Sequence, residues 1–316
     1  MKTMSLTMPA IRIKLTGICN RTCSFCHEEG DMKRIQNIIP ADDFFTCIGQ
    51  IMKKTGIQRI MLTGGEPTIH PKLVNIICGL KEFSNEISIT TNGIKKISLE
   101  EWQRFKEVGL TKVIISIHDT LASDLQSLES VKKTLSWAEN ALANQYQNIK
   151  NVISADIYSR INIVAYSGFE KTYNSVKKLL DLQKNDSPEI RLLNNLVQPF
   201  ESQWIIKKII TKLGAYEIGK YQKAGSSNVI NQYITPKGKV LSVKLAFPYY
   251  LEGICKNCLI QDKCYEGFYG IRVERLMNNY YVRLCIYKQT SDVLILWQDF
   301  IQSSISTEIK KGSVII

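Results

Sequence analysis

No apolar run in this chain of 316 residues approaches the length of about 18 that a bilayer-spanning helix needs, so no membrane span is expected. The opening residues, MKTMSLTMPA, hold one lysine and no long apolar stretch, which does not read as a secretory signal. Proline and glycine are modest, at 8 and 18, and with 44% hydrophobic residues the composition is that of an ordinary globular protein. Acidic side chains are in short supply: 29 Asp and Glu stand against 41 Lys and Arg, a formal charge of +12. That balance fits either an anionic substrate such as a nucleotide or a lysine-rich solvated surface. The basic residues are spread widely, without a dense Arg/Lys stripe, so nucleic acid is not the expected partner. What the chain does have is cysteine. Nine residues, most of them grouped at metal-ligand spacing, argue for a reducing compartment, the cytoplasm, rather than for disulfides.

The length suits one large domain with a smaller one, divided at about residues 1–200 and 201–316. In the first part, apolar runs of strand length alternate with segments of helical period. The expected strands are Ile11–Leu15, Ile57–Thr63, Glu86–Thr91, Lys112–Ile117, Ile157–Tyr166 and Glu189–Leu193. The expected helices are Ala41–Thr55, Lys72–Phe83, Ser98–Val108, Ser127–Asn144 and Lys171–Gln183, with a start at Pro40–Asp42 and a stop at Gly56 for the first. Six such repeats predict an α/β fold, a partial (β/α)6 TIM-like barrel with its active site at the C-terminal ends of the strands. After residue 200 the pattern changes. A helix at Trp204–Leu213 is followed by β-like stretches at Ala215–Tyr221 and Ile230–Phe247, with a hairpin turn at Thr235–Lys239. A last amphipathic helix is expected at Leu294–Ile305. The whole reads as the barrel plus a smaller α+β C-terminal domain that caps the strand ends.

Directly after the first strand come Cys19, Cys23 and Cys26, spaced Cys-x3-Cys-x2-Cys. Thiolates suit iron–sulfur clusters. Three of them can hold three irons of a cubane and leave the fourth open to a small molecule, as catalytic metal sites do. A zinc knuckle is the competing reading. After the second strand stands Gly64-Gly65-Glu66-Pro67, where two glycines permit close backbone approach and Glu66 can accept from an ammonium group. The third strand ends in Thr91-Asn92-Gly93, first of all a turn. The fourth ends in Ser116-Ile117-His118-Asp119. There Ser116 and His118 share one side of the strand, and Asp119 is a candidate helix cap. Asn162 and Arg191 lie on the fifth and sixth strands. His70 reads as a helix entry, and Cys47 and Cys78 as buried core thiols. A second group, Cys255, Cys258, Cys264 and Cys285, can close a site around either a second cluster or a structural zinc.

With Phe25 before the third cysteine, the Cys19–Cys26 motif resembles the signature of the radical S-adenosylmethionine (SAM) superfamily. The resemblance implies that the open iron chelates SAM, that the reduced cluster cleaves it to methionine and a 5′-deoxyadenosyl radical, and that this radical abstracts hydrogen from a substrate. It assigns Gly64, Gly65 and Glu66 to the methionine end of SAM and makes Thr91, Asn92 and Ser116 cofactor contacts. It implies two [4Fe–4S] clusters, the second on the C-terminal cysteines, and a reductant such as flavodoxin or ferredoxin. The order of motifs is most similar to the GTP 3′,8-cyclase group of molybdenum cofactor synthesis. That likeness includes the Arg12-x-x-Leu15-Thr16 approach and the Arg272 strand leading to the last cysteine. The group has three C-terminal cysteines where this chain has four, which is more like the auxiliary sites of twitch-type enzymes. The expected substrate is a small, polar or nucleotide-like molecule. Alternatives are modification of a ribosomal peptide, for which the stretch before Ile11 is too short to hold a peptide-binding domain, and a non-catalytic zinc or iron–sulfur module.

Overall fold

Strands such as Ile11–Leu15 and Val113–Ile117 bury aliphatic side chains against helices on one face of the sheet. The computed structural model describes residues 5–7, 9–26, 43–166, 168–184, 187–195, 198–225, 228–246, 249–264, 267–268, 270–288 and 290–313. The expected start at Pro40–Asp42 lies outside them. After a short β1 (Ser5–Thr7), six parallel strands follow: β2 (Ala10–Lys14), β3 (Arg59–Thr63), β4 (Glu86–Thr91), β5 (Leu110–Ser116), β6 (Tyr158–Val164) and β7 (Glu189–Leu193). The helices between them are α1 (Phe44–Thr55), α2 (Leu73–Leu80), α3 (Leu99–Glu107), α4 (Ala122–Ser127), α5 (Leu135–Ser154) and α6 (Phe169–Asp181). Local chemistry sets their ends. Gly56, at φ 73°, closes α1 by donating its N–H to Met52. Ser98 and Thr134 cap α3 and α5 through side-chain oxygens that accept from Glu101 and Trp137 N–H, each at 3.1 Å.

The helix expected over Ser127–Asn144 is in fact two. The chain leaves α4 at Ser127 and restarts at Leu135 because Thr134 caps the second helix. That helix then runs ten residues further than expected, since Ile149 and Val152 extend its buried face.

The last third is woven into the same sheet. After α7 (Pro199–Lys212) come β8 (Tyr216–Lys223), β9 (Asn228–Ile234) and β10 (Val240–Ala246). The Thr235–Lys239 turn does separate β9 from β10, with Thr235 N–H on the Lys239 carbonyl at 2.9 Å. Then follow α8 (Glu252–Cys255), β11 (Arg272–Leu276), β12 (Asn279–Arg283), β13 (Leu294–Leu296), α9 (Trp297–Gln302) and α10 (Ser304–Ser313). The helix expected from Leu294 thus begins as a strand, because Leu294–Leu296 pairs with β12. The thirteen strands form one sheet in the order β1-β8-β9-β10-β7-β6-β5-β4-β3-β2-β11-β12-β13. Its parallel centre carries the expected α/β architecture. Among the described residues no helix is long and apolar enough to cross a membrane.

Alternation along the strands gives the sheet two unlike faces. One is aliphatic: Ile11, Ile13, Ile60, Leu62, Ile87, Ile89, Val113, Ile115, Ile161, Ile163, Ile190 and Leu192 are at most 1% exposed and share a core with Ile48, Ile76, Trp102 and Val176 of the helices. Each such burial stabilises by about 1.5–3 kcal/mol. The register puts Arg12, Lys14, Lys112, Arg160, Asn162, Arg191, Ser242, Lys244, Arg272 and Arg283 on the other, inner face, with Glu189 and Glu274 as the anions among them.

Glu189 anchors one part of this inner face. It accepts from Arg191 NH2 at 2.5 Å, Ser242 Oγ at 2.7 Å and Tyr158 OH at 2.9 Å, while Arg191 also donates to Tyr221 OH at 2.6 Å. Burial alone would raise the Glu189 carboxyl, but Arg191, Arg160 and Lys112 hold it down at about 2. Glu189→Ala would leave those cations facing one another. The expected loss is about 3–5 kcal/mol in urea unfolding at neutral pH. Because the folded value is depressed, this contribution is complete above the ordinary carboxyl value of 4.5 and fades as pH falls through about 2. The gap between wild type and variant should narrow over that interval.

Candidate functional site

The three-cysteine, Gly-Gly-Glu-Pro, Thr-Asn-Gly and Ser-Ile-His-Asp motifs each lie where a parallel strand ends. The three-cysteine loop follows β2, and its fit to the next motif is a backbone fit. Gly65 N–H donates to the Thr16 carbonyl at 2.7 Å and Glu66 N–H to the Ile18 carbonyl at 2.9 Å. A Cβ on Gly64, which sits at φ 139°, would overlap the Thr16 carbonyl oxygen, and one on Gly65 would overlap that of Ile18. The glycines therefore admit the chain's own cluster loop, not only a ligand.

Glu66 departs from the expectation that it presents a carboxylate to an ammonium group. It has no exposed surface. Thr68 N–H (3.0 Å), Thr68 Oγ1 (2.6 Å) and Thr91 Oγ1 (2.6 Å) donate to Oε1, and Asn92 N–H (2.7 Å) donates to Oε2. Burial raises its pKa, and these donors pull it back. Such a carboxylate is an internal tie between the ends of β3 and β4. Thr91 is likewise engaged, giving its proton to Glu66 and accepting Gly93 N–H at 3.0 Å. Its hydroxyl keeps one lone pair for a further donor.

Asn92 reaches the loop itself. Its Nδ2 donates to Asn20 Oδ1 at 2.7 Å and lies 3.7 Å from Cys19 Sγ. Arg21 N–H also points at Cys19 Sγ, at 3.4 Å. Cys23 lies deeper; burial pushes its thiol up to about 12, with Arg21 opposing and Glu129, Cys26 and Cys19 adding to the rise. Backbone and amide donors thus aim at the Cys19 sulfur, as iron-bound thiolates favour. The residues present fit a cluster held by three cysteines.

Ser116 ends β5 half-buried, in register with Asn162, which is in register with Arg191. The Asn162 Oδ1 is buried without a hydrogen-bond partner, so an acceptor is left for a ligand. Arg191 is committed to Glu189, Ser242 and Tyr221. His118 accepts Val164 N–H at Nδ1 (3.3 Å), which puts its proton on Nε2. Burial, with Arg21 adding, depresses it to about 3, so the ring is neutral. Phe25 packs edge-on against it at 4.8 Å and against Tyr166 at 5.2 Å, a use of the aromatic in the motif that spacing alone does not reveal. Asp119 does not cap α4: it is buried beside Ser175 Oγ of α6. His70 is a structural turn residue, accepting Lys72 N–H.

The second cysteine group also comes together. Cys255, Cys258, Cys264 and Cys285 line a single, largely apolar pocket with Tyr250, Ile254 and Phe268. Gly267 N–H points at Cys264 Sγ (3.3 Å), and Tyr287 and Lys288 N–H at Cys285 Sγ (3.4 Å each). From α10, Glu308 accepts the N–H groups of Glu252 and Gly253 at the start of α8 (2.7 and 3.3 Å), so the tail holds the segment that carries Cys255. Strand pairing fixes the end of the sheet to which Cys285 returns. β12 runs antiparallel to β11, which is parallel to β2. Cys285, two residues past Arg283, therefore lies toward the end where β2 begins, whereas Cys19 follows the end where β2 leaves. Arg12, Arg272 and Arg283 lie between. None of the nine cysteines is joined in a disulfide. Cys47 is buried as expected, but Cys78 is exposed, one residue beyond the stripe that α2 buries (Leu73, Ile76, Ile77, Leu80).

A family model, the radical SAM superfamily, matches residues 13–182. A probable GTP 3′,8-cyclase of Saccharolobus islandicus is 25% identical over 311 residues, covering 95% of this chain and 89% of its own length. One from Pyrococcus horikoshii is 26% identical over 263 residues, 78% of each chain. Among solved structures, Streptococcus suis SuiB bound to S-adenosylmethionine aligns with a TM-score of 0.56 at 17% identity, over 96% of this chain and 63% of SuiB. Native anSMEcpe with bound AdoMet gives 0.56 at 14% identity, over 97% and 84%. At these identities the structural likeness bears on fold alone. The family model spans more than half the chain, over the β2–α6 segment that bears the three-cysteine loop, and this chain belongs to the radical SAM superfamily, an enzyme that uses a [4Fe–4S] cluster and S-adenosylmethionine.

Proposed function

We propose that this enzyme acts on a small polyanionic substrate of the nucleoside triphosphate type, seated on the inner face of the sheet between the two cysteine groups. The carrying observation is the charge of that face. Arg12, Lys14, Lys112, Arg160, Lys244, Arg272 and Arg283 project there, more numerous than the carboxylates on that face, and a predominantly positive, low-dielectric wall concentrates anions. The relatives named as probable GTP 3′,8-cyclases make GTP the first candidate.

In this reading Cys19, Cys23 and Cys26 hold the cluster. The Gly64–Gly65 turn, Asn92, Ser116 and Asn162 seat SAM, and Glu66 and Thr91 stiffen the turns that bear them. When bound, cluster and SAM together supply a 5′-deoxyadenosyl radical that takes a hydrogen atom from the substrate. The chain's own part is orientation and exclusion of water: the neutral His118 ring and Phe25 wall the loop, and the inner-face cations fix the anion. Cys255, Cys258, Cys264 and Cys285 hold a second [4Fe–4S] cluster. Four thiols leave no iron of that cluster open, which favours, as a second reading, a substrate held by the protein alone, a modified peptide included.

The test is anaerobic. Reconstituted protein, reduced by dithionite or a flavodoxin- or ferredoxin-type carrier, should release 5′-deoxyadenosine, and GTP should raise that release severalfold over GDP, guanosine or no addition. Release indifferent to every nucleotide would end the substrate reading. For the second site, Cys264→Ala should cost about four irons per chain and spare the SAM cluster. Unchanged iron would remove Cys264 from the ligand set.

A further inference from the structure

The break between α4 and α5 delivers a side chain to the three-cysteine loop. Leu128–Ser130 lies along that loop as a short antiparallel pairing. Ser24 N–H donates to the Leu128 carbonyl (2.8 Å), Ser130 N–H donates to the Thr22 carbonyl (2.6 Å), and Cys23 and Glu129 face each other as a bridge. From its centre the Glu129 carboxylate, in a residue only 8% exposed, reaches beneath the loop. Its Oε1 accepts from Arg21 Nε at 2.7 Å and lies 2.6 Å from Arg21 NH2. Its Oε2 accepts Thr22 N–H at 2.6 Å and the Thr22 hydroxyl at 3.1 Å. Cys23 Sγ is 4.0 Å from Oε1. Arg21 is itself 2% exposed. Three consecutive residues, Arg21, Thr22 and Cys23, are thus gathered by one carboxylate.

We propose that Glu129 is a positioning residue of the SAM-cleaving site. Its reach fixes the backbone that presents Cys23, and its charge offsets Arg21 beside the thiolate. The proposal rests on Cys19, Cys23 and Cys26 being the cluster ligands. The charge matters because a reduced cluster is more negative than an oxidised one. A buried anion near a ligating sulfur disfavours reduction and so keeps the potential low, which strengthens the cluster as a reductant. Arg21 without Glu129 would act in the opposite sense.

Reach and charge can be separated in the full-length protein. Glu129→Asp keeps the charge and shortens the arm by one methylene. In the iron-free protein, a pulse of iodoacetamide followed by mass spectrometry should label Cys23 severalfold faster than in the wild type, with buried Cys47 unlabelled as the check on the fold. Glu129→Gln keeps the shape and removes the charge. After reconstitution, its SAM-site cluster, followed by electron paramagnetic resonance during redox titration, should have a more positive midpoint potential than the wild type. Wild-type labelling of Cys23 in the Asp variant, or an unmoved or more negative potential in the Gln variant, would overturn the proposal. A Cys19→Ala/Cys23→Ala/Cys26→Ala protein that keeps all its iron would instead defeat the cluster assignment. The labelling of Cys23, measured without iron, decides the positioning role in either case.

Discussion

Cys23→Ala should abolish release of 5′-deoxyadenosine and cost about four irons per chain, leaving the iron of the second cysteine group in place. A cluster with one open iron depends on all three thiolates, because SAM supplies the remaining ligands and does so only when the other three irons are held. With two thiolates, a second iron faces water and the cube disassembles. Cys23 is the member of the trio to remove, since its backbone is paired with residues 128–130. Cys47→Ala is the matched control. It also deletes a buried thiol, in α1, and should cost stability as other small core truncations do while sparing iron and turnover. Iron and 5′-deoxyadenosine at wild-type levels in Cys23→Ala would refute the ligand assignment.

Gly65→Ala should be nearly as damaging although it removes no chemistry. The added methyl would meet the Ile18 carbonyl and lie 2.9 Å from the Gly17 oxygen. Both are backbone atoms of the segment that leads into Cys19. Backbone cannot rotate away as a side chain can, so the loop must move. The strain expected is about 1–3 kcal/mol, the range for overpacking, and the displaced loop should lose its iron. Gly238→Ala is the comparison. Gly238 sits at φ 73° in the β9–β10 turn with nothing near its absent Cβ. An alanine there should cost about 1–2 kcal/mol from the left-handed backbone and leave iron and activity untouched. Iron analysis and thermal melts of the two variants side by side check this. Equal iron in both would mean that the Gly65 contact does not position the loop.

Much of this was legible in the chain. Apolar runs of strand length such as Ile11–Leu15 told strand from helix. Cysteine spacing gathered both thiol groups, because short loops confine their own side chains. What the spacing did not carry was the partner across the fold. Glu66 and Thr91 looked like ligand contacts, yet their hydrogen bonds are to each other across two strand ends, a pairing that needs the sheet to exist. Glu129 looked like part of one long helix, since its neighbours keep a helical period. Only the antiparallel contact with the cluster loop explains why the helix stops. The direction of β12, and with it the end of the sheet to which Cys285 returns, follows from strand pairing and not from any local pattern.

One further consequence lies in the way the last third of the chain borders the parallel strands on both sides, β10 against β7 and β11 against β2. A piece ending near residue 200 would keep all six parallel strands and the three-cysteine loop, but with two raw hydrogen-bonding margins open to any other chain. Unpaired margins of that kind are templates for aggregation. The segment that carries the radical chemistry has therefore no natural cleavage point at which it could become a smaller working enzyme.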